Sequence, residues 1–358
     1  MVSHLITHLG RGGAERYITD LAQYSIDSNL PMEIVCLYNT HDSIANLNRV
    51  DGKVKVKTFV DLSRYGYVSF RVRLAKILIL IGLPYFMILY AIHLKKNQIS
   101  LVILSLSIPS VFIVLRFFVK RVKFVHLFHT NWHLLTLKHR ILFSISFFMG
   151  KNLVTEIGGH KMGTALAKRF NLTHSYIPFS IISKLPKYSR NDYESSKCRI
   201  FTVCRIRRFE KRLDEMIALC IALSERNFRF SFDFFGDGED FVWLQRQIEL
   251  HQLEDYIILH GFTDIEEVQL NSFDYGLFTS VHGETGIAGL EVEAAGCPVL
   301  RLETVQGCLV SGPYHANDGK SLALSLIYNN HKSKSKNETY PDNMQLTFSK
   351  WQEFFQGL

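Results

Sequence analysis

The sequence predicts an α/β protein of two doubly wound domains, each built on a parallel sheet between helical layers. Three observations carry this. Short apolar runs alternate with amphipathic stretches along the chain. The alternation halts at the polar run Lys184 to Lys197 and then restarts. The 358 residues, 47% apolar and 21% charged, suit two domains that each bury a core, which excludes a disordered chain or a small stapled scaffold.

In the first half, runs rich in Val, Ile, Leu and Phe predict strands at Val2–Leu9, Glu33–Tyr38, Lys53–Thr58, Leu101–Leu106, Phe124–His129 and Leu153–Glu156. A glycine turn after the first leads into a helix over Ala14–Tyr24, and apolar spacing predicts further helices at Arg73–Lys95, Val111–Phe118 and His133–Phe148. A boundary falls at Ile177-Pro178-Phe179-Ser180. Beyond it come a strand at Arg199–Cys204, a helix at Leu213–Glu225, a strand at Phe228–Phe235 ending in Gly236-Asp237-Gly238, and a helix at Glu239–His251. Strands at Tyr256–His260, Tyr275–Thr279 and Val299–Leu300 follow, with a helix at Gly289–Ala295. After a polar linker from His331 to Asn343 comes a last helix, Leu346–Phe355. The expected division is a domain over 1–178, a second over 179–342, and a closing helix over 343–358.

The six cysteines are scattered without a CxxC pair, the pattern of reduced thiols in a cytoplasmic protein and not of a disulfide frame or zinc site. Val2 to Leu9 reads as a strand running into a glycine turn, so no signal peptide is expected.

Charge is distributed unevenly. Between Asp61 and Glu156 there is no acidic residue, while that stretch carries 13 of the 41 Lys and Arg, so the whole net charge of +8 comes from one region. The same region holds the apolar run Ile77 to Ile92. Sixteen residues with Pro84 inside are short for a membrane span, which needs about 20. A core helix explains the apolarity but not the missing carboxylates. A helix lying on an anionic membrane face explains both, with Lys120, Arg121 and Lys123 as membrane-facing cations. Nucleic acid is disfavoured, because the cations border aliphatic runs and not stacking aromatics.

Three stretches could carry chemistry. Leu9 to Arg16 places Gly12 and Gly13 between a strand and a helix, where the turn serves either as a tight connection or as a binding loop whose N–H groups meet an anion. Val203 to Arg212 sets Arg205, Arg207, Arg208, Lys211 and Arg212 at a strand's carboxyl end, either as a solvated basic turn or as a diphosphate site. Ser280 to Val299 leads through a glycine loop into a helix whose start, Thr285, Gly286 and Ile287, can offer N–H groups, with Glu284 before it and Glu291 within. Carboxylates accept several hydrogen bonds each and suit sugar hydroxyls, although Glu284 also reads as a helix-capping acid and Glu291 and Glu293 as solvent-exposed side chains. His126 and His129 lie an odd number of residues apart on a predicted strand, so they face opposite sides and no metal site is expected. His129 leaves the strand toward the crevice.

These motifs, in order, resemble the retaining GT-B glycosyltransferases of family 4. Gly12-Gly13-Ala14-Glu15-Arg16 resembles the first-loop signature, and Phe128-His129-Thr130 the strand ending in a histidine near the donor sugar. Ile177 to Ile181 sits where the family writes its interdomain link. Arg205 and Lys211 resemble the pair that holds the donor diphosphate, Gly236 and Gly238 the nucleotide-side loop, and His260-Gly261-Phe262 the turn after it. Leu290 to Val299 resembles L-E-A-x-A-x-G-x-P-V closely. The first glutamate of the family's pair is Gly283 here, with Glu284 one residue late.

The resemblance implies two Rossmann-like domains facing a central cleft, the first receiving the acceptor and the second the nucleotide sugar. It implies transfer with retention from a UDP- or GDP-sugar, without metal or other cofactor. Arg205 and Lys211 would neutralise the leaving diphosphate, Glu291 would hold the ribose, and Glu284 and His129 would meet the sugar. An apolar, cationic acceptor domain adds the expectation of a lipid-linked saccharide acceptor in lipopolysaccharide, O-antigen or capsule synthesis, at the inner face of the plasma membrane. A catalytically silent relative that partners another transferase, and a nucleotide-sugar epimerase, are the alternatives.

Overall fold

The structure, a computed structural model, describes residues 1–10, 12–27, 30–41, 43, 50, 52–64, 77, 79, 81–129, 132, 135–155, 159–177, 185–189, 197–280, 286–302, 315–329 and 344–358. The chain divides into two compact units, Met1–Ser180 with Asn343–Leu358, and Ile181–Asp342.

The first unit holds a parallel sheet in the order β3-β2-β1-β4-β5-β6-β7. Its strands are β1 (Val2–Ile6), β2 (Met32–Thr40), β3 (Val56–Leu62), β4 (Leu101–Ser105), β5 (Lys123–Phe128), β6 (Asn152–Thr155) and β7 (Thr173–Tyr176). Every residue of β1, β2 and β4 is buried, which is why these strands read as continuous apolar runs and not as alternating ones. Helices α1 (Gly13–Tyr24), α2 (Leu83–Lys96), α3 (Leu137–Met149) and α4 (Gly159–Phe170) connect them. Strand order reverses between β1 and β4, and right-handed crossovers in opposite directions put α1 on one face and α3 on the other.

Several boundaries differ from the sequence expectation for physical reasons. The first strand stops at Ile6, because the chain turns at Gly10, whose N–H donates to His8 Nδ1 at 3.0 Å. Pro84 opens α2 and does not interrupt it, since a first-turn residue has no carbonyl to donate to. Val111–Phe117 is wound as a 3₁₀ segment. Strand β7 and helix α4 were not anticipated, because the first is short and polar and the second begins at a glycine. The terminal helix Met344–Gly357 packs into this first unit. Its Trp351 is fully buried and donates an indole N–H to Tyr17 Oη at 3.0 Å, and Phe348 meets Tyr24.

The second unit repeats the plan with strands in the order β10-β9-β8-β11-β12-β13. They are β8 (Cys198–Val203), β9 (Phe230–Phe235), β10 (Ile257–Gly261), β11 (Tyr275–Phe278), β12 (Val299–Leu302) and β13 (His315–Ala316), joined by α5 (Leu213–Ser224), α6 (Phe241–Leu250), α7 (Gly286–Ala294) and α8 (Gly319–Asn329). One face of this sheet buries Phe230, Phe232 and Phe234 against Met216, Leu219 and Leu223 of α5, and the other buries Phe201 and Phe278 with Val292 of α7. Neither β13 nor α8 was expected. The order again reverses, between β8 and β11.

Candidate functional site

In the second unit the carboxyl ends of β8 and β11 lie side by side, because the two strands are hydrogen-bonded neighbours at the reversal. From β8 the chain passes through Cys204, Arg205 and Ile206 into a single helical turn, Arg208–Lys211. Arg212 then takes a left-handed conformation, φ +48°, which ends that turn and lets α5 start in a new direction. Thr279, at the end of β11, donates its hydroxyl to the Lys211 carbonyl and so fixes the turn against the neighbouring strand.

The cations of this segment separate into two groups. Arg207 pairs with Glu210 and Glu239, both at 2.7 Å, Arg208 pairs with Asp214 at 2.8 Å, and Arg212 lies 3.6 Å from Glu215. Among the described residues, the Arg205 and Lys211 side chains have no hydrogen-bonding or ion-pair partner. Desolvation pushes the Cys204 thiol up, and the nearby Lys211 ammonium pulls against it.

Gly236 and Gly238 lie against this segment for a steric reason. A Cβ on Gly236 would stand 1.9 Å from the Cys204 carbonyl oxygen, and one on Gly238 would stand 2.2 Å from that of Ile206. Their absence lets the β9 loop continue the ladder beyond the strands, with Ile206 N–H donating to Asp237 O at 2.9 Å. Behind them Gly261, at φ +74°, accepts the Gly236 N–H at 2.6 Å, and His260 stacks on Phe235 while bonding Asp233 at 2.7 Å.

Helix α7 follows β11. Gly286 opens it at φ +71° with open space where a Cβ would go, so backbone conformation and not crowding selects glycine there. Ile287 turns its side chain into the core. Glu291 is fully buried, contrary to the solvent-exposed reading. Glu293 is half-buried and forms an ion pair with the buried Arg301. Glu284 and Thr285 lie outside the described residues.

In the first unit Gly12 caps α1, and the Glu15 carboxylate folds back into the space a Cβ at position 12 would take. Gly13 is exposed at the first helical position. His129 follows β5 directly, is buried, and bonds Ser105 Oγ at 3.2 Å while its ring meets the edge of Tyr17. His126 faces the other way, against Phe147 of α3, and burial pushes its imidazole down to about 4. Among the described residues no three metal-binding side chains come together.

Lys120 and Arg121 are exposed just before β5 and Lys123 at its first position, at the opposite end of that strand from His129, and Lys123 donates to the Leu358 main-chain oxygen. Next to them the helices carry exposed apolar side chains at helical spacing. One row is Ile77, Ile81, Tyr85, Ile88 and Ile92, and a second on α3 is Leu137, Ile141, Ile145 and Phe148. Both α2 and α3 pack on the 111–117 segment, whose end exposes Phe117 and Phe118. Phe148 is 88% exposed and Ile81 72%, so these are not core residues grazed by solvent. Among the described residues, no helix is long and apolar enough to cross a membrane.

The sequence held no signal for Thr279, Ser105 or His4 as site residues, since each acts on a partner 24 or more positions away.

Comparison with known proteins bears on the same segment. Residues 197–318 match the family described as Glycosyl transferases group 1. A stretch of 68 residues is 32% identical to the poly(glycerol-phosphate) alpha-glucosyltransferase of Bacillus subtilis (strain 168), covering 19% of this chain and one tenth of that protein's own length. Two solved structures align along the whole chain. The lipopolysaccharide outer core galactosyltransferase WaaB is 16% identical with a TM-score of 0.67, and all of both chains is covered. Anabaena HepE in complex with UDP and glucose is 14% identical with a TM-score of 0.74, over 100% of this chain and 99% of that one. At such identities the likeness is one of fold. The chain therefore has the α/β GT-B fold, and its second unit carries a glycosyl transferases group 1 domain.

Proposed function

We propose that this protein is a glycosyltransferase that moves a sugar, with retention and without a metal ion, from a nucleotide diphosphosugar to a lipid-linked saccharide. The observation that carries the reading is the separation of cations after β8, where neighbouring arginines are neutralised while Arg205 and Lys211 are left for an anion. In the reaction the bond from the anomeric carbon to the diphosphate breaks and the acceptor hydroxyl's oxygen takes its place on the same face, its proton passing to the leaving diphosphate. Charge grows on the leaving diphosphate. A guanidinium and an ammonium already in place stabilise it where a divalent cation would otherwise serve. The N–H groups opening α7 at Gly286 and Ile287 add to the same field. Glu291 takes the ribose, Glu284 and His129 the sugar, and the Gly12-Gly13 loop serves the sugar and the acceptor. The UDP and glucose held by Anabaena HepE favour a UDP-sugar over a GDP-sugar.

Titration of the protein by calorimetry with UDP, GDP and their sugars, with and without EDTA, tests this. Saturable binding to one nucleotide family, unchanged by EDTA and lost in Arg205→Ala, is expected. A folded protein that binds none of them overturns the reading.

The acceptor side rests on the first unit's surface. Apolar rows on α2 and α3, ending among Lys95, Lys96, Lys120 and Arg121 in a stretch without a carboxylate, have the chemistry of a face that lies on an anionic bilayer. Both helices run the height of the sheet, so this face borders the cations at one edge and the end of the sheet near His129 at the other. That arrangement supports peripheral attachment at the inner membrane face and a lipid-linked acceptor of the kind used in cell-surface polysaccharide synthesis. The lipopolysaccharide galactosyltransferase among the structural neighbours is in keeping with it.

A further inference from the structure

Three buried side chains from adjacent strands meet at the reversal point of the first sheet. His4 lies within β1, Ser105 ends β4, and His129 follows β5. Both rings reach the same oxygen through the same nitrogen. Ser105 Oγ is 2.5 Å from His4 Nε2 and 3.2 Å from His129 Nε2. A serine hydroxyl has one proton and can donate it to one partner only. Ser105 Oγ has no further hydrogen-bond partner among the described residues, so its proton goes to one ring, which accepts through a bare Nε2 while the other donates an Nε2–H. Contacts donated by O–H are shorter than those donated by N–H. Assigned by this preference, the short contact runs from Ser105 to His4 and the longer one from His129 Nε2–H to Ser105.

We propose that His4 and Ser105 are positioning residues for His129, holding its imidazole as the Nε2–H tautomer in one orientation. His4 suits this part because it is sealed in the sheet. Burial and the neighbouring His129 ring hold it well below the usual histidine range, so it stays a neutral acceptor at physiological pH. On the other side of His129 stands the Tyr17 ring, at 6.2 Å and nearly perpendicular, itself held by Trp351 of the terminal helix. The ring is thereby fixed by elements far apart in the chain. The kinetic consequence rests on the function proposed above; the tautomer does not.

Long-range ¹⁵N–¹H correlation of the imidazoles in the intact protein is the direct test. Wild type should show His129 as Nε2–H and His4 as Nδ1–H. Ser105→Ala should leave His129 averaging between tautomers, and Ser105→Thr, which keeps the hydroxyl, should restore the single form. His4→Leu provides a second route that removes the distal ring without adding a polar group, and it should release His129 in the same way. An unchanged His129 pattern in folded Ser105→Ala and His4→Leu overturns the proposal. With a donor and acceptor in hand, Ser105→Ala should lower kcat by about ten- to a hundredfold with donor KM unchanged, and Ser105→Thr should recover it. A tautomer lock without any transfer activity would uphold the positioning and overturn the proposed reaction instead.

Discussion

The two units share one sheet plan and differ in what they place at its reversal point. In the second unit that point is basic, with Arg205 and Lys211 left without acidic partners among the described residues and glycines packed against the backbone beside them. In the first it is a buried imidazole–hydroxyl–imidazole chain. Under the proposed function, the same topology serves a diphosphate in one unit and a sugar in the other. Function lies in the side chains placed on the plan and not in the plan.

The comparison can be broken most directly on the basic side. Arg205→Ala and Lys211→Ala should each remove about 2–4 kcal/mol of transition-state stabilisation, read as kcat/KM. Arg208→Ala, which disrupts an exposed pair with Asp214, should leave kcat/KM nearly unchanged in the same assay. Equal losses from all three would mean that the segment acts as a diffuse basic surface and that the separation of its cations has no role.

Acid stability sharpens the contrast on the histidine side. His126 is pushed down to about 4, below its unfolded value near 6.5, so the unfolded chain binds a proton that the native state refuses. The associated stability is present above pH 6.5 and is lost as pH falls toward 4, with a size on the order of 3 kcal/mol. His4 adds a loss of the same sign. Urea midpoints measured from pH 7 to pH 4 should fall, and His126→Phe should flatten the slope.

Gly238→Ala tests whether the glycine loop is chosen for close packing. A Cβ there meets backbone and not a movable side chain, so a cost of about 1–3 kcal/mol in unfolding free energy is expected. The smallest effects belong to the surface cations. Neutralising Lys120 and Arg121 should weaken binding to anionic vesicles by about 1 kcal/mol each, measured by co-sedimentation. Phe118→Ser with Phe148→Ser should weaken it on neutral vesicles too, since that loss is of apolar contact.

Much of the fold was legible because parallel strands buried on both faces must be apolar throughout, and β1, β2, β4, β9 and β11 were read from that rule. What failed to show were elements without a strong apolar period, β7, β13, α4 and α8, which form because neighbouring strands and helices offer them a place. Within the site, the resemblance singled out Arg205 and Lys211, but the charge run alone did not separate them from Arg207 and Arg208. Glu291 read either as a solvent-exposed side chain or, through the resemblance, as a ligand for the ribose, and its burial shows only in the fold.

By itself, then, the sequence determined the alternation of strands and helices, the turn at Gly286, and the confinement of excess positive charge to an acid-free apolar stretch. These follow from backbone conformation, apolar period and composition, which act over a few residues. Only the tertiary structure decided which cations are neutralised, that Thr279 pins the turn holding Lys211, and that one hydroxyl links His4 to His129. Those contacts join residues 68 and 101 positions apart through Thr279 and Ser105, and no local rule specifies a partner at that distance.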